Sequence, residues 1–305
     1  MASYRLTDNE VTDFAMAANN YVKLESPYTK ILPIKRINDC YVHKWYKSTE
    51  LPAPESSKDG RYGEDVRTAR TEAEANVTSF VYTFEIPRVE VTMAQNAGVP
   101  IWSENVGNAL RKMNDKVCRL IFRGSNTWDK VAITGMHSGG TAESTGLDAV
   151  KFNTATGVTQ HADAGFADLY AAGYSPPFTW ALGSSLRKGF NIKYGAGDPA
   201  QLDMMGPYGI SPEDLTFWSQ QADGVAETKI NLTAMGMPVD DDAMWFFYKK
   251  DPNYAYLAEV MPITTTIKPE LDFRRQCYHG RVEWRGTVAI VQSTSIVYEA
   301  EVDHT

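Results

Sequence analysis

QNAGVPIWSENVGNALRKMNDKVCRLIFRG, Gln95–Gly124, is the longest segment of the chain with one clean period. Apolar residues fall at Val99, Trp102, Val106, Leu110, Met113, Val117 and Leu120, in steps of three and four, which predicts a helix with a single buried stripe. Glu104, Asn108, Arg111, Lys112, Asp115 and Arg119 occupy the opposite face, so that side stays wet or meets another subunit. Pro100 suits a first turn, where a missing N–H costs nothing. Arg119 and Arg123 complement the dipole at the far end, and Gly124 can take the left-handed conformation that stops a helix.

Just upstream, SFVYTFEIPRVEVT (79–92) alternates strictly, with Phe80, Tyr82, Phe84 and Ile86 on one face, and predicts a strand. Before it, TELPAPESSKDGRYGEDVRTARTEAEAN (49–76) is polar and charged, with Pro and Gly at its start. A segment of that composition cannot bury itself in a compact core. Earlier still, CYVHKWYK (40–47) sets Tyr41, His43 and Trp45 against Val42, Lys44 and Tyr46, a second strand signal. Two strands around a polar excursion, leading into the long helix, describe a hairpin arm that finds its partners on another chain. Further out, SPYTKILPIKRIND (26–39) reads as extended chain broken by Pro27 and Pro33. TDNEVTDFAMAANNYVKL (7–24) reads as a short amphipathic helix with Thr7 as N-cap and Glu10 completing a capping box.

Downstream of Gly124 the text is more broken. Residues 125–150 mix a short apolar strand at Val131–Ile133 with a Gly/Ser/Thr loop, QHADAGFADLYAAG (160–173) is helical, and FTWALGSSLRKGF (178–190) reads as strand, turn and helix start. SPEDLTFWSQQA (211–222) predicts a helix, with Ser211 as N-cap and Pro212 at the first position. MWFFYKKD (244–251), YAYLAEVMPITTTIKPELD (254–272) and YHGRVEWRGTVAIVQSTSIVYEAEV (278–302) are strand-like with turns between them. Helices and strands interleave without regular βαβ spacing and without an internal repeat, so the class is α+β.

The 305 residues, 43% hydrophobic and 22% charged, suffice for a large core in two or three subdomains. A net charge of −8 argues against a chain whose task is gripping duplex DNA by its phosphates. The acidity is uneven: residues 1–124 hold 17 Lys+Arg against 16 Asp+Glu, residues 125–305 hold 13 against 22. With no apolar run near the roughly 20 residues that span a bilayer, and no signal pattern in MASYRLTDNE, the expectation is a soluble protein made in the cytoplasm. Cys40, Cys118 and Cys277 are odd in number and far apart, which favours reduced, buried thiols.

Catalytic and cofactor motifs are absent: no G-x-S-x-G, no P-loop, no G-x-G-x-x-G after a strand, no paired-cysteine metal motif. His43, His137, His161, His279 and His304 show no metal-site spacing, and structural roles outweigh catalysis for each. Asp240–Asp242 could hold a hard cation, but without the Gly and Glu of a calcium loop it reads first as a solvated turn. Arg274, Arg275, Arg281 and Arg285 could meet phosphate, yet among Glu270, Asp272 and Glu283 they read as ion pairs within or between subunits. Trp102, Trp128, Trp180, Trp218, Trp245 and Trp284 are scattered, with core packing as their default.

In sum of its parts the chain resembles the major capsid proteins of tailed viruses with the Hong Kong 97 phage fold, and the encapsulin shells that share it. CRLIFRG (118–124) followed by VAITGMHS (131–138) is similar to the helix end and Ile-x-Gly turn of those shells, FADLYAAGYSPPFTWALGSSLRKGF (166–190) to their helix, Gly-Tyr, strand and helix passage, and GRVEWRGTVAIVQSTSIVYE (280–299) to their closing hairpin. The resemblance implies an N-terminal arm at 1–45, an extended hairpin loop at 46–92, the spine helix of a peripheral domain at 93–124, an axial domain at 125–260, and closing strands of both domains at 261–305. It implies a structural, non-enzymatic protein without cofactor, catalytic residues or bound metal. Its partners would be copies of itself in hexamers and pentamers, scaffolding, portal and cement proteins, and packaged double-stranded DNA held without sequence reading, but no membrane; its place would be the virion, assembled in the host cytoplasm. Candidate subunit contacts are Lys58, Arg61, Arg67 and Arg70 on the loop, Arg111, Lys112 and Asp115 on the helix, and Arg274 and Arg275. The opening passage TKILPIKRINDCYVHKWYK (29–47) departs from encapsulins, whose first helix receives cargo, and tilts the expectation toward a virus; an encapsulin-type compartment is the alternative, and an α+β enzyme the third. Lys58 lies where some such capsids form a Lys–Asn crosslink, but no local Asn or Glu marks a partner for it.

Overall fold

The computed structural model describes residues 28–48, 70–97, 101–125, 132–144, 147, 150–152, 154, 156–183, 215–218, 243–272 and 274–302. The expected helix at 7–24 and the acidic run Asp240–Asp242 lie outside the described residues. The organising helix is α3, Ile101–Arg123. Its stripe is buried at Val106, Leu110, Met113, Val117 and Leu120, while the first stripe positions, Val99 and Trp102, fall outside the described side chains. Gly124 ends it at φ +79, as expected.

That stripe lies on a four-stranded sheet in the order β1 (Ile34–Arg36), β11 (Ala255–Asp272), β12 (Cys277–Ile290) and β4 (Thr78–Pro87). β11 and β12 form a long antiparallel hairpin, β4 lies antiparallel on β12, and β1 runs parallel to β11. Phe80, Val282, Trp284, Val288 and Leu257 meet the helix in one core, with Phe80 stacked on Trp284 at 5.6 Å. Glu259, fully buried, is held in that core through Oε1, which accepts from Trp284 Nε1 at 3.0 Å and Tyr28 Oη at 3.2 Å, while Oε2 lies 3.4 Å from Arg36 Nη2.

A second, five-stranded sheet has the order β7 (Thr141–Ala142), β13 (Ile296–Val302), β10 (Ala243–Tyr248), β8 (Thr179–Gly183) and β9 (Leu215–Trp218). Helix α5, Gly157–Ala171, packs on it. β10 explains why MWFFY is apolar without a break: Trp245 and Phe247 face the core under α5, Phe246 and Tyr248 face the core under α3, and all four are inaccessible. Trp180, Trp245 and Trp284 are therefore core residues, as expected. Cys40, Cys118 and Cys277 are unpaired; Cys118 and Cys277 are buried, whereas Cys40 is only half-buried.

Four elements differ from the sequence expectation. Tyr28–Ile31 is a helical turn, α1, where extended chain was expected, and its Tyr28 and Ile31 are buried. Arg70–Asn76, counted in the polar excursion, is strand β3, paired with β2 (Val42–Ser48) from Val42↔Asn76 to Ser48↔Arg70. The strand expected over 79–92 stops at Pro87, which has no ladder donor, and Arg88–Ala97 is helix α2, where Thr92 Oγ1 donates back to the Arg88 carbonyl at 3.0 Å. Leu215–Trp218 is β9, parallel to β8, so pairing overrides the helix-start signals of Ser211 and Pro212. Among the described residues no helix is long and apolar enough to cross a membrane.

Candidate subunit-contact surfaces

The arm is rooted by one face of its ribbon. Trp45 packs beside Tyr256, Ala258 and Ala289, and His43 Nε2 lies 2.9 Å from the Tyr256 hydroxyl. Burial, then the nearby Lys35 ammonium, lowers the His43 pKa below its ordinary value, so the ring is neutral and can accept that hydroxyl. Lys44 bridges Glu72 at 2.9 Å and Glu74 at 3.7 Å across the ribbon, with all three side chains half-exposed or more, which is worth little by itself. The other face shows Tyr46, 64% exposed, and Tyr41, 85% exposed, stands just before the strand.

The sequence-predicted contact residues separate into groups. Lys58, Arg61 and Arg67 lie outside the described residues, and Arg70 opens β3 opposite Ser48. On α3, Arg111 and Lys112 are exposed and Asp115 is half-buried. The face is not bare: Lys112 Nζ sits 5.5 Å over the Tyr82 ring, Lys116 Nζ 5.3 Å over Phe80, and Arg111 and Asp115 both interact within the chain. Arg274 and Arg275 are exposed in the turn joining β11 to β12. Arg275 pairs with Glu85, Arg281 with Glu283, and Arg285 with Asp39 while donating to the Cys40 carbonyl at 3.0 Å. Three of the four arginines thus form ion pairs inside the subunit. Glu283 was visible beside them in sequence; Glu85 and Asp39 reach them only through strand register.

Sequence reasoning missed the exposed apolar surface. Val81 and Tyr82 on β4, Val89 and Met93 one turn apart on α2, and Tyr170 on α5 all stand open to solvent. The clue was the strict alternation of 79–92, whose outer residues include valines rather than only polar groups. The histidines take structural roles where they are described: His161 is fully buried between Glu299 Oε2, 2.8 Å from Nδ1, and the Val150 carbonyl, 3.0 Å from Nε2, and His137 packs on Tyr298 at 4.6 Å. His279 is different, since Glu85, Cys277 and His279 bring ligand atoms within 4.8 Å of one another.

No protein-family model and no curated protein sequence matches the chain. Solved structures do. A structure from Mycobacterium phage Ogopogo superposes with a TM-score of 0.61 at 12% identity, over 89% of this chain and 90% of that one. The capsid of Myoviridae phage XM1 gives 0.58 at 11% identity, over 87% of each chain. A virus-like particle from Pyrococcus furiosus gives 0.57 at 11% identity, over 94% and 98%. At such identities the likeness establishes the fold, and it is the α+β capsid-type fold of Hong Kong 97 that the sequence resemblance implied.

Proposed function

We propose that this chain is a major capsid protein that self-assembles, as hexamers and pentamers, into an icosahedral shell around packaged double-stranded DNA in a virion put together in the host cytoplasm. The observation that carries the proposal is a likeness to capsid chains along 87% of its length, joined to a ribbon rooted in the body by one face while Val42, Lys44 and Tyr46 stand exposed on the other. In this proposal 1–45 is the N-terminal arm, 46–92 the loop laid on a neighbour, α3 the spine of the peripheral domain, 125–260 the axial domain, and 261–305 the strands that close both. Lys58, Arg61, Arg67, Arg70, Arg111, Lys112, Asp115, Arg274 and Arg275 would face neighbouring copies. The net charge of −8 suits a container that encloses DNA without gripping it. Scaffolding, portal and cement proteins complete the proposed set of partners, and no chemical reaction is assigned to the chain.

Negative-stain microscopy of the purified full-length chain tests the proposal, with closed shells of uniform diameter as the expected result. Monomers or small oligomers at every concentration would overturn it. The likeness to the Pyrococcus furiosus particle favours a second reading, a protein compartment of encapsulin type. Particles recovered with protein cargo and no nucleic acid would decide for the compartment.

A further inference from the structure

We propose that Cys277, His279, Glu85 and Asp272 form a zinc site where the β11–β12 hairpin turn meets the end of β4. The hairpin turn supplies three of the residues, and sheet register brings Glu85 to them from a distant part of the chain. Glu85 of β4 is paired with His279 of β12, Asp272 of β11 is paired with Cys277, and Cys277 and His279, two apart on one strand, share a face.

Three separations match edges of a tetrahedral first shell: Glu85, Cys277 and His279 bring their ligand atoms within 4.8 Å of one another, and Asp272 joins that group through His279. With Zn–S about 2.3 Å and Zn–N or Zn–O about 2.0 Å, the edges of the tetrahedron are about 3.5 Å between S and N or O, and about 3.3 Å between N and O. Cys277 Sγ lies 3.6 Å from His279 Nε2 and 3.7 Å from Glu85 Oε2, and Asp272 Oδ2 lies 3.4 Å from the same His279 nitrogen.

Each carboxylate is also oriented for the role. Glu85 Oε1 is taken by Arg275, and lies 3.5 Å from His279 Nδ1, which leaves Oε2 turned to the thiol. Asp272 Oδ1 accepts the backbone amides of Arg274, at 2.9 Å, and Arg275, at 3.4 Å, which leaves Oδ2 turned to the imidazole. One thiol, one imidazole and two carboxylates favour a borderline-soft ion over Mg2+ or Ca2+, which take all-oxygen shells. Binding displaces the Cys277 proton to solvent and joins the ends of β4, β11 and β12.

The test uses the full-length chain, as subunit or as shell, stripped with a chelator and titrated with Co2+ and then Zn2+. One Co2+ per chain is expected, with the ligand-field bands of a tetrahedral ion and a thiolate charge-transfer band, displaced by Zn2+, and with Tm raised by either metal. Cys277→Ser should lose the charge-transfer band and His279→Asn the stoichiometric uptake. Glu85→Gln and Asp272→Asn, at half-exposed positions where folding is not at stake, should weaken uptake by about tenfold or more. Cys40→Ser should bind as the parent does. No saturable uptake by the parent chain, a thiolate band that survives Cys277→Ser, or uptake indifferent to both carboxylate variants would overturn the site. None of these readouts depends on particle formation, so the site and the capsid proposal stand or fall separately.

Discussion

At the scale of single residues, two glycines with left-handed backbones separate conformational strain from close packing. Gly124, at φ +79, ends α3, and a Cβ there would meet the Ile133 carbonyl oxygen and come within 2.6 Å of the Gly135 nitrogen, backbone atoms that cannot rotate aside. Gly173, at φ +87, follows α5 and has nothing within 4 Å of such a Cβ. Gly173→Ala should therefore cost only the left-handed penalty, about 1 kcal/mol, and Gly124→Ala about 3 kcal/mol, because the strand pair β5 (Gly124–Ser125) and β6 (Ile133–Thr134) must also move apart. Denaturant unfolding of the two variants measures both, and equal costs would mean that the close approach adds nothing. The role of Gly124 was legible in sequence, because a glycine after the last turn of a periodic helix has one common use. The close approach was not, because the β6 strand across it is set by tertiary pairing.

Among the elements, α3 and β3 mark the limits of what pattern carries. The stripe of α3 repeats over six turns, so periodicity alone finds the buried face. TEAEAN alternates only Glu with Ala, both poor strand formers, and β3 is strand because β2 pairs with it and Lys44 meets Glu72 and Glu74 across the ribbon. The same reasoning explains why the Glu85, Asp272, Cys277 and His279 cluster was illegible: Asp272, Cys277 and His279 are close in sequence, but Glu85 reaches them only through the register of β4 on β12. The ribbon's root invites a pH prediction. The lowered His43 pKa means that the unfolded or undocked state binds a proton more readily than the docked one, so docking is undiminished above the ordinary histidine value and weakens as pH falls through it. The groups facing His43 are Lys35, Trp45 and Tyr256, of which only the lysine is charged and repels the imidazolium. Amide hydrogen exchange in β2 and β3 should quicken, relative to β12, between about pH 7 and about pH 5. His43→Gln, which can still accept the Tyr256 hydroxyl, should remove most of that change; an undiminished change in the variant would exclude His43 as its source.

Over the whole molecule, the chain closes by pairing its beginning with its end: β1 lies on β11, β4 on β12, and β7 on β13. Among the described residues, these long-range pairings close both body sheets. Within the proposed loop at 46–92, β3 pairs in the ribbon and β4 in the body sheet, so a cut that spares both tests the proposal most directly. Removing 50–69 and joining the ends with a short Gly-Ser turn keeps every β2–β3 pair except those nearest the join, and keeps Trp45 on Tyr256 and Ala289. That variant should give a folded subunit with the parent's circular dichroism and a Tm within a few degrees, but no shells by microscopy. Extending the cut to 50–75 also removes β3, exposes the inner face of β2, and should lower Tm further as well as abolishing shells. Normal shells from the 50–69 variant would leave the arm without a role in assembly, whereas an unfolded product would mean that the polar segment serves the fold of its own subunit and not the contact between subunits.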